Sequence, residues 1–242
     1  MAWEMFDRDG TGGFRICGVD GELLTDAPLA DLPVACEITI EAESAAPVAL
    51  SSSEYDLERV TTTLVGRIVA TSRTRTSLVT LAYLPSDDDA DRYSKVSLPK
   101  GASVSVAPAI DPEWTLFAAA RPVGIEEQSM LDFRVRNQLF AAMDLGGERP
   151  IEHVVVGLTD ETVDDFTMSV TSATSVVRQP VVEVDAASWR GLHVADPKDV
   201  TETSWIIRQI AERFGATYDG WGCPVETGAP AAPAKRKRRW FR

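Results

Sequence analysis

Apolar and polar positions alternate most cleanly at 34–42, "VACEITIEA": Cys36, Ile38 and Ile40 point one way, and Glu37, Thr39 and Glu41 the other. Period-two alternation predicts a half-buried strand. Leu57, Val60, Leu64 and Ile68 then recur at helical spacing through 51–71, with serines available as caps. The stretches "TSLVTLAYLP" and "ASVSVAPAI" read as strands, with a polar loop, 85–101, between them. "DPEWTLF" opens a short helix, with Asp111 as N-cap and Pro112 at the first helical position.

A second block follows a link at 120–129. It begins with a helix over "SMLDFRVRNQLFAAMDLGG", capped by Ser129 and Asp132 and stopped at Gly146. "IEHVVVGL" is a strand, and "DETVDDFTMSVTSA" a helix with Val163, Phe166 and Val170 on one face. "VVRQPVVEV" and "SWRGLHVA" are strands joined by a tight turn. "DVTETSWIIRQIAERFG" has an Asp199–Glu202 cap, a stripe of Ile206, Ile210 and Phe214, and Gly215 at the C′ position. A short strand at 217–221 ends the block. A helix followed by β-α-β-β-α-β is the ferredoxin-like, split βαβ order. The first block has a related run, which predicts an antiparallel sheet with helices on one face. The fold class is α+β, with domains at 1–122 and 123–226.

Length agrees: 242 residues suit two domains. No run approaches the ~18 apolar residues of a membrane span, and the N-terminus lacks a signal-peptide core, so a cytoplasmic location is expected. Cys17, Cys36 and Cys223 are scattered and read as reduced thiols.

Charge changes the picture at one end. The net charge is −13, yet Lys235, Arg236, Lys237, Arg238, Arg239 and Arg242 sit in the last eight residues. Elsewhere 18 basic residues face 37 acidic ones, a net −19. The body therefore attracts basic partners, and the tail does the reverse. Residues 227–242 are Pro/Ala-rich, then basic, and read as disordered. Trp240 and Phe241 among the cations suit stacking on bases or a membrane surface.

Candidate chemistry is sparse. The two histidines, His153 and His193, leave the apolar face of their strands and share one sheet face with Trp189 beside them. The simplest reading is a half-solvated face; the sharper one is a hydrolase site. No serine lies in G-x-S-x-G, and no metal-ligand spacing occurs. "DDDAD" at 87–91 lacks the glycine and distal Glu of a calcium loop, and "DGTGGFR" lacks the context of a phosphate cradle. No cofactor is implied.

One motif remains. "FGATYDGWGCPVE" resembles the C-terminal signature of the bacterial family named regulator of ribonuclease E activity B, in which a helix and a Gly lead to Tyr-Asp-Gly-Trp. "DFRVRNQLFAAMDLGGERPIEHVVVG" is similar to the family's opening helix, turn and arginine-to-histidine strand, with Arg149 near the arginine step and His153 at the histidine. The resemblance covers roughly 129–226. It departs from the pattern at Val154-Val155, where the family has aromatic residues, and at Ala216-Thr217, where a glycine is common. The opening "AWEMFDRDGTGGFRICGVD", "APLADLPVACEITIE" and "DPEW" resemble a bacterial domain of unknown function often fused to that family.

The resemblance implies a ferredoxin-like, non-catalytic protein that binds ribonuclease E and lowers its activity. Direct RNA binding through the tail is the alternative. For Tyr218, Asp219, Gly220 and Trp221 the residues themselves suggest docking of the last strand: Gly220 supplies a positive φ or a bulge, Trp221 covers the sheet end, and Asp219 caps amides. Partner contact is the compatible second role.

Overall fold

A computed structural model describes residues 3–8, 15–42, 57–63, 66–179 and 188–227, apart from single positions at 58, 75, 89, 97 and 99. The chain divides into two compact units, Met1–Glu126 and Glu127–Arg242.

In the first unit six strands form one antiparallel sheet: β1 (Trp3–Arg8), β2 (Arg15–Asp20), β3 (Val34–Ala42), β4 (Arg67–Arg73), β5 (Ser77–Leu84) and β6 (Ala102–Ile110), in the order β1-β2-β4-β5-β3-β6. A short helix, α1 (Leu23–Asp26), follows β2. The alternation at 34–42 holds: Cys36, Ile38 and Ile40 are fully buried, against Leu57, Leu78, Ala82 and Leu84. The long helix expected at 51–71 is overturned at its C-terminal end. Leu57 is a buried helical residue, but Ile68 belongs to β4, and Leu64 lies outside the described residues. Gly66 marks the change. A Cβ there would stand 2.5 Å from Leu84 Cδ2 and 2.7 Å from the Tyr83 carbonyl, so only glycine lets the chain pass so close to β5. The polar stretch 85–101 is not all loop. A 3₁₀ turn at Ala90–Lys95 sends Tyr93 into the core, where its hydroxyl meets Thr61 Oγ1 at 2.7 Å.

The Asp-Pro-Glu-Trp corner is a buried lock. The helix α2 (Thr115–Ala120) starts three residues later than expected, after Trp114 at φ 57°. Asp111 still caps it, accepting from the Thr115 and Leu116 amides at 2.8 and 2.9 Å. It also accepts from the Tyr83 hydroxyl at 2.6 Å, and the Tyr83 ring stacks on Trp114 at 4.0 Å. Burial pushes the Asp111 carboxyl up, but these hydrogen bonds outweigh it and hold it down to about 2. A depressed folded-state value contributes stability present above the usual 3.8 and lost as pH falls toward 2. Acid titration of the protein is expected to lose on the order of 2 kcal/mol from this group over that window. Asp111→Asn should flatten that part of the acid-unfolding curve. A variant curve parallel to the parent's would show that the corner carries no such linkage.

In the second unit α3 (Ile125–Ala141) leads into a four-stranded antiparallel sheet of β7 (Arg149–Val156), β8 (Val177–Arg178), β9 (Ser188–Ala195) and β10 (Thr217–Gly222), in the order β10-β7-β9-β8. The helix α4 (Val163–Ala173) joins β7 to β8, and α5 (Thr201–Arg213) joins β9 to β10. The tight turn and most of the strand expected before 188 lie outside the described residues. Val155 and Trp189 pack with Phe166 and Val170 of α4 and Ile207 and Ile210 of α5. Ile151 packs with Val135 and Leu139 of α3 and with Trp221. All three helices therefore lie on one face of the sheet.

Two expected caps are corrected. Ser129 is buried inside α3, which starts a turn earlier and takes up much of the expected link. Its buried stripe is Gln128, Ser129, Asp132, Val135 and Leu139, so polar residues hide the helical period in the sequence. Asp199 sits in a 3₁₀ turn at Pro197–Asp199 that Asp196 opens by accepting from the Lys198 amide, and Val200 takes the N-cap of α5.

Candidate functional site

Tyr218 and Trp221 are three residues apart on β10. In a regular strand they would face opposite sides. The pairing with β7 slips between Tyr218 and Gly220: Tyr218 opposes Val155, Gly220 opposes Val154 and Trp221 opposes His153. Asp219 is the extra residue of a β-bulge, and Gly220 takes φ 110° to make it. Both aromatic side chains thereby reach the helix-covered face, while Asp219 stays exposed.

Trp221 is 1% exposed, and its indole N–H donates to Asp132 Oδ1 at 2.8 Å. Gln128 Nε2 donates to the same oxygen at 2.7 Å. Burial pushes the Asp132 carboxyl up, opposed by hydrogen bonds from Trp221 and Gln128. Sequence reading gave Asp132 to a helix cap and passed over Gln128. The available signal was their spacing: 128, 132, 135 and 139 form one helical stripe, and an acid inside such a stripe needs a donor.

Neither histidine is half-solvated, which corrects that expectation. His153 is fully buried and His193 is 6% exposed. They do share one face with Trp189, but it is the core face, in line with Ile151 and Val155. Strand β7 is apolar on both sides, so alternation alone chose the wrong one as core. Tyr218 O–H donates to Ser204 Oγ at 3.1 Å. That leaves the phenol oxygen to accept from His153 Nδ1–H at 2.8 Å, and His153 Nε2 to accept from His193 Nδ1–H at 2.9 Å. This tautomer assignment follows from the network. Both ring nitrogens of His153 are thus engaged, by a phenol and an imidazole, and no carboxylate orients it as a general base would require.

Burial, reinforced by the neighbouring His193, lowers His153 to about 3 from the usual 6.5. A base weakened by folding stabilises the protein above its unfolded value, and that stability is lost as pH falls below 6.5. Between pH 7 and 5 the melting temperature is expected to fall, and His153→Gln should show a shallower slope than the parent. Equal slopes would remove the buried pair as the cause.

Arg149 anchors the other end of β7. It is 4% exposed and grips Asp144 with two hydrogen bonds of 2.8 and 2.7 Å. Asp144 also accepts from the Gly146 and Glu226 amides. Burial works against the Asp144 charge, but the Arg149 pair and these amides hold it below its usual range. The turn after α3 is therefore tied to Glu226, in the segment that follows β10.

A cleft of about 210 Å³ opens between α3 and β10, lined by Gln128, Leu131, Asp132, Tyr218 and Trp221, with Arg134, Gln138 and Asp219 among the rest. The motif thus docks β10 and lines a cleft at once. Arg149 and the histidines form separate buried networks. The tail cations and Trp240-Phe241 lie outside the described residues. Cys17, Cys36 and Cys223 are buried free thiols. Among the described residues no group of His, Cys, Asp and Glu could hold a metal ion, and no helix is long and apolar enough to cross a membrane.

No curated protein matches the chain. Among solved structures, an unknown protein from Galdieria sulphuraria aligns over 76% of this chain and 95% of its own at 10% identity, with a TM-score of 0.22, too low to carry an argument. The family comparison is the informative one: residues 134–223, which hold the whole four-stranded sheet, both histidines and Tyr218-Asp219-Gly220-Trp221, match the family described as regulator of ribonuclease activity B.

Proposed function

We propose that this protein binds a ribonuclease E-type endoribonuclease in the cytoplasm through a ferredoxin-like C-terminal domain, residues 123–226, and slows RNA cleavage without cutting RNA itself. The family match over 134–223 carries the reading. The geometry supports it: His153 is committed on both sides to buried neutral partners. The acidic body supports it too, since opposite potentials steer association with a basic partner. Residues 1–122 form a separate domain of unassigned role in this reading.

The test is an RNA-cleavage assay with the host's own ribonuclease and the full chain. Cleavage is expected to slow as the protein is added, and the effect to weaken as salt rises past ~0.15 M, where the screening length is about 8 Å. No binding and no change in rate at micromolar protein would end the proposal. Turnover of RNA by this protein alone would move it to the enzymes. The run "KRKRRWFR" favours one second reading, direct RNA contact through the tail. That contact would be salt-dependent and lost on deleting 235–242.

A further inference from the structure

We infer that the outer edge of β6 is a self-association site, on which a second copy of this chain adds its own β6, antiparallel, about a two-fold axis at Val104. The inference goes beyond the ribonuclease reading and does not rest on it.

The hydrogen-bond phase of the strand argues first. Asp111 N–H donates to the Pro33 carbonyl at 2.8 Å, in the register that sets Ile110 opposite Val34 and Ala102 opposite Ala42. In an antiparallel pair, bonded and non-bonded positions alternate. The odd-numbered residues 103–109 therefore bond to β3, while Ala102, Val104, Val106 and Pro108 turn their backbone groups outward. The neighbouring strand agrees: Ala42 N–H donates to the Thr76 carbonyl on the β5 side, so the even-numbered residues of β3 face away from β6. Strand β6 ends the sheet, and among the described residues no hydrogen bond reaches its outward groups. Pro108 stands at an outward position, where a missing N–H costs the sheet nothing.

The lack of a guard argues next. Sheet edges are normally blunted by charge, a bulge or brevity. Strand β1 carries Glu4, Asp7 and Arg8, β10 is bulged at Asp219, and β8 is two residues long. Strand β6 has nine residues and no charge. Pro108 blocks its far end only, and leaves the outward groups of Ala102, Val104 and Val106 open to a partner strand.

Symmetry then selects the occupant. An axis at Val104 sets that residue against its own copy and Ala102 against Val106 of the second copy, so the outward N–H and C=O groups of all three pair across it. On the exposed face Ser103 meets Ser105 of the second copy, and no charge stands opposite a like charge. On the other face Ala102, Val104 and Val106 pack against the core that holds Ile38 and Ile40, and carry that apolar layer into the second sheet. A strand without carboxylates offers an arginine-rich partner no counter-charge. The net charge of −13 opposes the pairing at long range, so salt should favour it.

The experiment is sedimentation equilibrium of the full chain at micromolar concentrations, in low and high salt. The mass of two chains is expected, at least as fully formed in high salt as in low. Val104→Pro removes an outward N–H but no bond to β3. It should weaken the dimer at least about tenfold with an unchanged circular dichroism spectrum. If that variant does not fold, charge on the exposed face tests the same edge. Ser103→Lys with Ser105→Lys sets like charges across the axis and should give monomers, as should Ser103→Glu with Ser105→Glu. Mixing these two double variants should restore a dimer with one chain of each. A parent that is monomeric throughout overturns the proposal, as does a dimer that all these substitutions leave intact. A dimer that salt dissolves would be the basic tail on the acidic body, and also overturns it. Double variants that stay apart when mixed overturn the axis at Val104. A monomeric parent whose Val104→Pro variant loses ribonuclease binding would give the edge to a different protein's strand. Sedimentation involves no ribonuclease, so failure here is separate from failure of the cleavage assay.

Discussion

Trp221→Ala is expected to lower the stability of the C-terminal unit by about 3–5 kcal/mol, the range for truncating a large buried aromatic residue. Trp221 is 1% exposed and packs with Val135, Leu139, Ile151, Val200 and Cys223. It links three elements, α3, β7 and the end of β10, so the space it leaves cannot close without moving one of them. Its loss also takes one donor from Asp132 Oδ1, leaving only Gln128. Trp221→Phe separates the two effects, because it keeps most of the packing and removes only the indole N–H. The phenylalanine variant should lose about 1–3 kcal/mol, the desolvation penalty of an acceptor left short. Urea unfolding of parent and variants measures both. An alanine variant that unfolds like the parent but fails in the cleavage assay would make Trp221 a contact residue and refute the docking role.

Asp144→Ala is expected to be comparably severe, about 3–5 kcal/mol, by a different route. The Asp144 and Arg149 side chains are each 4% exposed. Arg149 already has one buried nitrogen, Nε, without a partner. Removing Asp144 leaves a buried guanidinium without its paired carboxylate, with only the more exposed Glu226 carboxylate still acting on it. It also strips acceptors from the Gly146 and Glu226 amides, which tie the turn to the segment after β10. The penalty belongs to the orphaned charge rather than to the pair. The double variant Asp144→Leu, Arg149→Met should therefore recover most of the loss. A double variant as unstable as the single one would mean that the amide contacts, not the charge, hold this end of the sheet.

The same residues show where the sequence was sufficient. Alternation at 34–42 was enough for β3, because one of its faces is uniformly apolar and the other is not. The stripe of Ile206, Ile210 and Phe214 was enough to find the helix α5, but the face it buries is Ser204, Ile207, Ile210 and Ala211, with Ile206 and Phe214 partly buried beside it. Tyr-Asp-Gly-Trp was enough to raise the family whose description matches residues 134–223. In each case the information is local: it lies in neighbouring residues, and no distant partner is needed to read it.

Other features became fixed only when the chain closed on itself. The hairpin of β1 and β2 was missed, since its pairing is visible only in the sheet that β4 extends. Ile68 continued a helical stripe in the sequence, yet the close pass of Gly66 against β5 made it strand. On β7 both Ile151-His153-Val155 and Val154-Val156 were fit to be core, and the helices settled the matter by covering the histidine side. Asp132 read as a cap until Trp221, 89 residues away, supplied the donor that an acid in that stripe requires. Which residues vary along an element is written in the chain. Which side of the element is dry depends on what packs against it, and burial, not residue type, turned a polar histidine, glutamine and aspartate into the interior of this unit.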